Sequence, residues 1–414
     1  MPATLTPTHD YALAPYQLLD LADTYGCPLY VYDAATMQRQ YERMVAAFDV
    51  PSLKINYACK ANTSLAVLHL FRMWGAGLDT VSIQEVRLGL AAGFAPSDIL
   101  YTPNCVSLDE IGEAVRLGVN INIDNISMLE QFGHQYPEVP VCLRINPHIM
   151  AGGNSKISVG HIDSKFGISV HQMPHVRKVV DTTGLRVEGL HMHTGSDILD
   201  AEVFMQGAEI LLSQATDFKE LRYIDFGSGF KVPYKPGGIA TDMEDFGASM
   251  SRRFREFCSE YGRDLTLMFE PGKFLVSESG VFLVRTNVVK TTPSTLFAGV
   301  DSGLNHFIRP MFYDAYHEVA NLSNPEGRTR IYTVVGYICE TDTFGINRKI
   351  TEVSEGDILA FYNAGAYCMS MASNYNSRLR PAEVLWLDGE AHLIRERETM
   401  EDLMRKQRVP EGLG

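Results

Sequence analysis

Between about residues 50 and 285, short runs of β-branched and aromatic residues alternate with amphipathic stretches. The apolar runs read as strands at 53–60 (LKINYACK), 77–82 (GLDTVS), 99–103 (ILYTP), 119–124 (VNINID), 140–146 (PVCLRIN), 187–195 (VEGLHMHTG), 223–230 (YIDFGSGF) and 265–272 (LTLMFEPG). The segments between them carry helix punctuation. SIQEVRLGLAAG opens with Ser82 and Glu85 in capping-box spacing and closes on Gly93, and SLDEIGEAVRLG repeats the device with Ser107, Glu110 and Gly118. Eight β/α alternations predict a TIM (β/α)8 barrel. The competing architecture, an open doubly wound sheet, wants a glycine-rich turn after its first strand. ACKANTS stands there instead.

After about residue 285 the texture changes. GVFLVRTNVVKTT, STLFAGVDSG, RIYTVVGYIC, DILAFYNAGAY and AEVLWLDGEAHLIR are β-rich, and helical periodicity is nearly absent until ETMEDLMRKQR. This predicts a C-terminal β-barrel or sandwich domain. The N-terminal CPLYVYDA (27–34) reads as an isolated strand that joins it. The expected division is a barrel over 35–285 and a β-rich domain made of 1–34 plus 286–414.

Composition narrows the function classes. The chain has 414 residues, 45% apolar and 21% charged, which is globular, with a net charge of −14. That charge argues against a nucleic-acid surface and against a polybasic membrane patch. Seven cysteines lie scattered without a CxxC pair, which suits a reducing compartment. The N-terminus lacks the features of a signal peptide, and no apolar run approaches a membrane span, so a cytoplasmic location is expected.

Chemistry concentrates where a TIM barrel puts it, at the C-terminal strand ends. Strand one ends at Lys60, strand two carries Asp79, strand five Arg144, and strand six His191 and His193; strand seven runs into Gly227-Ser228-Gly229, and strand eight into Glu270-Pro271-Gly272-Lys273. Any one of these charges has a bland reading as a solvated rim residue. By alternation, Ile55, Tyr57 and Cys59 share one face of strand one and Asn56, Ala58 and Lys60 the other, aiming Lys60 into the mouth. A desolvated lysine near other cations has a lowered pKa and suits Schiff-base chemistry. Gly227-Ser228-Gly229 brings amides together at the usual phosphate position. A phosphorylated aldehyde needs both features, and pyridoxal 5'-phosphate fits. Glu270 would keep its ring nitrogen protonated, Arg144 would reach the ring hydroxyl and His193 would stack on the ring. The competing reading takes His191 and His193 as a metal pair of a barrel hydrolase, with Asp79 and Asp225 as further ligands.

YACKAN, HMHTGSDI, FEPGK, VDSGLNHFIRPMFYDAYHEV, VVGYICETD and GAYCMSMASNYNSRLRPAEVL resemble the diaminopimelate decarboxylases over residues 27–388. These are fold-type III pyridoxal-phosphate decarboxylases related to ornithine and arginine decarboxylases and to alanine racemase. The resemblance implies an alanine racemase-like barrel with its β-domain, and decarboxylation of meso-2,6-diaminopimelate to L-lysine. It implies that Lys60 carries the cofactor, with Asp79 beside it, Arg144 at the ring hydroxyl, His193 on the ring face and Glu270 on the pyridine nitrogen. Ser196, Gly227, Ser228 and Gly229 would hold the phosphate. Cys339 and Glu340 would reach the active site of the partner in a homodimer, with Cys339 or Lys60 as the proton donor. Tyr367 would touch cofactor and substrate, and Arg309 and Tyr313 the substrate's distal carboxylate. Residues 152–167 match a mobile loop that closes over the site. On residue type alone, Cys339 reads as a small buried hydrophobe, Tyr313 and Tyr367 as core aromatics, and Arg309 as a surface residue. This chain departs from the family at Lys273, where arginine is usual; lysine neutralises a carboxylate without making a bidentate fork. The other reading within the cofactor class is a decarboxylase of another basic amino acid or polyamine precursor.

Overall fold

The computed structural model describes residues 13–149, 163–195 and 201–413. Eight parallel strands close into a barrel: β1 (Leu53–Ala58), β2 (Gly77–Thr80), β3 (Ile99–Tyr101), β4 (Asn120–Ile123), β5 (Val141–Asn146), β6 (Val187–His191), β7 (Tyr223–Asp225) and β8 (Thr266–Phe269). Each pairs in parallel with the next, and Leu267 of β8 lies opposite Leu53 of β1 to complete the ring. All eight runs read as strands form strands, with most ending sooner than the apolar pattern does. β6 stops at His191 rather than residue 195, and β7 at Asp225 rather than residue 230. The residues left over line the turns above the barrel, where the candidate chemistry sits.

The helix punctuation works as its chemistry requires. Ser82 accepts the Glu85 N–H at 3.2 Å and Ser107 accepts that of Glu110 at 3.3 Å. Gly118 ends its helix at φ 75°. Tyr57 faces outward from β1 and stacks on Phe71 of the following helix, with centroids 4.2 Å apart. Phe204, Phe226, Phe230, Phe246 and Phe269 pack between the ends of β7 and β8 and the helices Ala201–Ala215 and Met243–Tyr261, with Phe204 and Phe246 at 5.0 Å. This aromatic cluster fixes the two strand ends that carry the glycine turn and Glu270.

The chain divides into two compact units. Gln38–Pro233 and Ile239–Leu275 hold the barrel; Met1–Met37, Tyr234–Gly238 and Val276–Gly414 hold a nine-stranded mixed sheet. Strand Leu29–Asp33 lies inside that sheet, antiparallel to Gly280–Thr291 and parallel to Ala382–Leu387. Leu18, Leu29, Val31, Leu283 and Val384 are buried together in its core. Among the described residues no helix is long and apolar enough to cross a membrane.

Candidate active site

Lys60 is placed by a turn rather than by a strand. β1 ends at Ala58, and Cys59–Ala61 form a 3-10 turn, so the alternation that assigned Lys60 to the inner face stops before reaching it. The cause is the chain returning after β8. Pro271 O accepts the Ala58 N–H at 3.1 Å, and a Cβ on Gly272 would stand 3.0 Å from Ala61 Cβ and 3.2 Å from Ala58 Cβ. The small residues flanking the lysine therefore make room for the Glu270-Pro271-Gly272 backbone. Lys60 Nζ lies 3.0 Å from Asp79 Oδ2, with the lysine side chain 38% exposed and the aspartate 1%. This corrects the expectation of a desolvated lysine crowded by cations: its ion-pair partner is a buried carboxylate. Burial and the Glu270 charge push the Asp79 carboxyl up, and Lys60 opposes them.

Glu270 follows β8 and is almost wholly buried. Its N–H bonds to Gly227 O at 2.7 Å, tying it to the glycine turn, and its Oε2 lies 3.0 Å from His191 Nε2. A carboxylate accepts, so His191 donates from Nε2. Burial pushes the Glu270 carboxyl up, but His191, with Lys60 behind it, outweighs burial and pulls it down to about 2. Asp225, at the end of β7, is fully buried, and its Oδ1 accepts the Gly227 N–H at 2.8 Å. Burial and then the Glu270 charge push its carboxyl well up, so of the two neighbouring carboxyls Asp225 holds the proton and Glu270 the charge. Ligand-type atoms of His191, Asp225 and Glu270 lie within 4.8 Å of one another. The proposed metal pair of His191 with His193 is not what forms. His193 Nδ1 instead accepts the Ser228 N–H at 3.2 Å.

That contact joins His193 to the glycine turn. Gly227 has φ +63°, and a Cβ there would lie 2.5 Å from Met192 O and 2.8 Å from His193 Nδ1, so glycine is required on both counts. Burial, followed by the charges of Arg144 and Lys60, holds the His193 imidazole well below its usual value and neutral. Arg144, on β5, is 7% exposed with its guanidinium 4.9 Å from the Phe166 ring centre. Burial lowers its pKa, opposed first by Glu270 and then by Asp124. Gly229 also follows β7, with φ 139°, and Lys273 opens the short helix Lys273–Val276. Lys60, Asp79, Arg144, His193, Gly227, Ser228, Gly229, Glu270 and Lys273 thus all lie in the last residues of the barrel strands or beyond their C-terminal ends. Ser196, and residues 152–162 of the expected mobile loop, lie outside the described residues.

The second unit brings the remaining candidates into two groups. Cys339 is exposed, not the buried hydrophobe its residue type suggests. Its sulfur accepts from Asn376 Nδ2 at 3.1 Å and lies 3.7 Å from the Tyr375 hydroxyl, which donates to Glu340 Oε1 at 2.9 Å. With that hydroxyl proton spent on Glu340, the Tyr375 oxygen is left to accept from the Cys339 thiol. The bonds to Cys339 and Glu340 push Tyr375 up to about 12. Asn376 and Ser377 both hold left-handed backbone, φ 55° and 54°, a local strain of the kind kept at functional sites. Arg309 is 8% exposed, not a surface residue, and stands 5.0 Å from the ring centre of Tyr234 and 5.8 Å from that of Tyr313. Tyr367 is half-buried with φ +56°, uncommon for an aromatic residue. Sequence reasoning missed Tyr375 and Asn376, and considered His191 and Asp225 only as metal ligands. The signal for His191 lay in its spacing from His193, but only the early end of β6 shows that the two point to different partners.

Comparison with known proteins places these residues in context. The family described as "pyridoxal-dependent decarboxylase, pyridoxal binding domain" matches residues 34–277. A diaminopimelate decarboxylase of Methanothermobacter thermautotrophicus is 40% identical over 407 residues, 95% of each chain. A crystal structure of a diaminopimelate decarboxylase superposes with a TM-score of 0.90 at 34% identity, covering 96% of this chain and 97% of that one. The Helicobacter pylori diaminopimelate decarboxylase complexed with L-lysine gives 0.87 at 30% identity, covering 94% and 98%.

Proposed function

This chain belongs to the diaminopimelate decarboxylases within the pyridoxal-dependent decarboxylases, and on that premise we propose that it converts meso-2,6-diaminopimelate to L-lysine and carbon dioxide in the cytoplasm. The observation that carries the reading is the barrel-mouth set, Lys60 on Asp79 at 3.0 Å and Glu270 on His191 at 3.0 Å, within a chain that matches these enzymes along nearly its whole length.

The residues present fit pyridoxal phosphate. Glu270 Oε1 and Asp79 Oδ1 are buried without a hydrogen-bond partner among the described residues, and a cofactor rich in polar atoms would supply one. The Gly227 turn admits no Cβ, as a backbone cradle for phosphate requires. When bound, the cofactor supplies an aldehyde for an amine and a protonated ring that accepts the electron pair left by the departing carboxylate. Lys60 is the amine that holds the aldehyde, and Asp79 keeps it oriented. Glu270, held as an anion by His191, would keep the ring nitrogen protonated. Neutral His193 offers an apolar ring face, Arg144 a donor to the ring hydroxyl, and Ser196, Gly227, Ser228 and Gly229 bind phosphate.

The carboxylate that the substrate keeps is assigned to Arg309 and Tyr313, with Lys273 as a further cation. Tyr367 contacts cofactor and substrate. Cys339 delivers the proton that replaces carbon dioxide, acting with Glu340 in the active site of a partner subunit, so the enzyme is a homodimer with shared sites. The thiol proton sits on Sγ between Asn376 and Tyr375, which supports that role. The test is kcat/KM across meso-diaminopimelate, ornithine, arginine and lysine. Diaminopimelate should lead by at least about a hundredfold, since losing a buried charge partner discriminates strongly; preference for ornithine or arginine would overturn the reading.

A further inference from the structure

Arg309 is held by a residue that nothing above assigns. His317 is fully buried, and its Nδ1 lies 2.9 Å from the Tyr362 carbonyl oxygen. A carbonyl only accepts, so Nδ1 carries the hydrogen. On the other side of the ring, Arg309 Nε lies 3.2 Å from His317 Nε2. A guanidinium only donates, so Nε2 is the bare acceptor. The two bonds together fix one neutral tautomer. The Phe307 ring, 4.6 Å away at 68°, and the Tyr234 ring, 5.1 Å away at 78°, wall the imidazole in edge to face.

We propose that His317 is a positioning residue for substrate selection: by anchoring Arg309 Nε to the Tyr362 carbonyl through its ring, it sets the plane of the guanidinium that reads the carboxylate retained by the product. This rests on the function proposed above and deepens it. Arginine recognises a carboxylate through parallel N–H bonds from a planar fork, so the value of the contact depends on the orientation of that plane. The Tyr234 and Tyr313 rings pack against the guanidinium, and the Nε bond adds a directional restraint on its plane. Burial, and then the Arg309 charge, keeps the imidazole well below its ordinary range, so the acceptor at Nε2 is not lost to a proton near neutrality. A protonated ring would present a donor to a donor.

The experiment separates carboxylate reading from the rest of the site. L-Lysine keeps one carboxylate and two amines; 1,5-diaminopentane keeps only the amines. Binding of both is titrated on the cofactor-loaded wild type and on His317→Phe and His317→Gln. The wild type should prefer L-lysine. His317→Phe, which preserves ring volume and removes both polar contacts, should weaken L-lysine at least about tenfold and 1,5-diaminopentane less than about twofold, and should raise KM for meso-diaminopimelate with kcat nearly unchanged. His317→Gln, whose side-chain carbonyl can accept from Arg309, should recover most of the preference; His317→Leu, which also removes both polar contacts, serves in place of His317→Phe if that variant does not fold. Equal weakening of the two amines, or an unchanged lysine preference in both variants, overturns the relay. A wild type that releases carbon dioxide from meso-diaminopimelate while either result holds leaves the function standing and the relay refuted. A wild type that binds the two amines equally overturns the relay, and it refutes the function as well if it releases no carbon dioxide from meso-diaminopimelate.

Discussion

His191 donates through Nε2 to Glu270 Oε2 at 3.0 Å, with both side chains buried. The bond turns the first histidine of the His-x-His pair onto the carboxylate, while the second meets the glycine turn. Glu270 therefore keeps its charge in a place where burial alone would neutralise it.

The pH dependence of that charge has a definite sign. The folded carboxyl sits at about 2 against an ordinary 4.5, so its stabilising contribution is complete above about pH 4.5 and drains away as pH falls toward 2. His191→Leu removes the donor and leaves the Lys60 charge to oppose burial. The acid limb of kcat should move up by at least about one pH unit, and the fold should lose about 1.5–3 kcal/mol. A pH–rate profile with a urea titration checks both; an unmoved limb would separate His191 from Glu270.

Asp225 should tolerate loss of its charge. Its raised carboxyl is neutral in the folded chain, and what it supplies is an acceptor for the Gly227 N–H. Asp225→Asn keeps that acceptor and should melt within a few degrees of wild type, whereas Asp225→Leu should cost about 1–3 kcal/mol. Equal damage from both, read by thermal melting, would mean that the anion itself is needed.

Gly227→Ala should strike cofactor retention ahead of the fold's core. The added Cβ meets Met192 O and His193 Nδ1 at a left-handed φ, at a cost of about 1–3 kcal/mol. The visible absorbance of purified enzyme should fall, and the pyridoxal phosphate needed for half-saturation should rise about tenfold or more.

Cys339→Ala should lower kcat by about 10²–10⁴ with the cofactor band intact, as expected of a lost general acid. Mixed with Lys60→Ala in equal amounts under subunit exchange, it should recover about a quarter of wild-type activity, because half the dimers are hybrids and each hybrid has one complete site. No recovery from hybrids confirmed by mass spectrometry would confine Cys339 to its own subunit's chemistry or to none.

Much of the fold is readable in the sequence because its signals are local. The Ser82 and Ser107 caps, the Gly118 stop and the outward-facing Tyr57 each follow from neighbours a few residues away. Strand Leu29–Asp33 was identified by its composition, though not its parallel partner Ala382–Leu387. The site is less readable, because its bonds join distant strands. Lys60 was legible as a misplaced charge, but not the turn that carries it, since Gly272 sets that turn from more than two hundred residues downstream. The Asp225 proton depends on Glu270, and the His317 tautomer on Tyr362; neither dependence has a signature along the chain.

The central claim is tested most directly by carbon dioxide release. Purified protein loaded with pyridoxal phosphate is incubated with meso-diaminopimelate, with Lys60→Ala beside it. The account predicts carbon dioxide and L-lysine in equal amounts from the wild type, and a loss of at least about a thousandfold in the variant. A wild type that retains its cofactor yet releases no carbon dioxide from meso-diaminopimelate would contradict it.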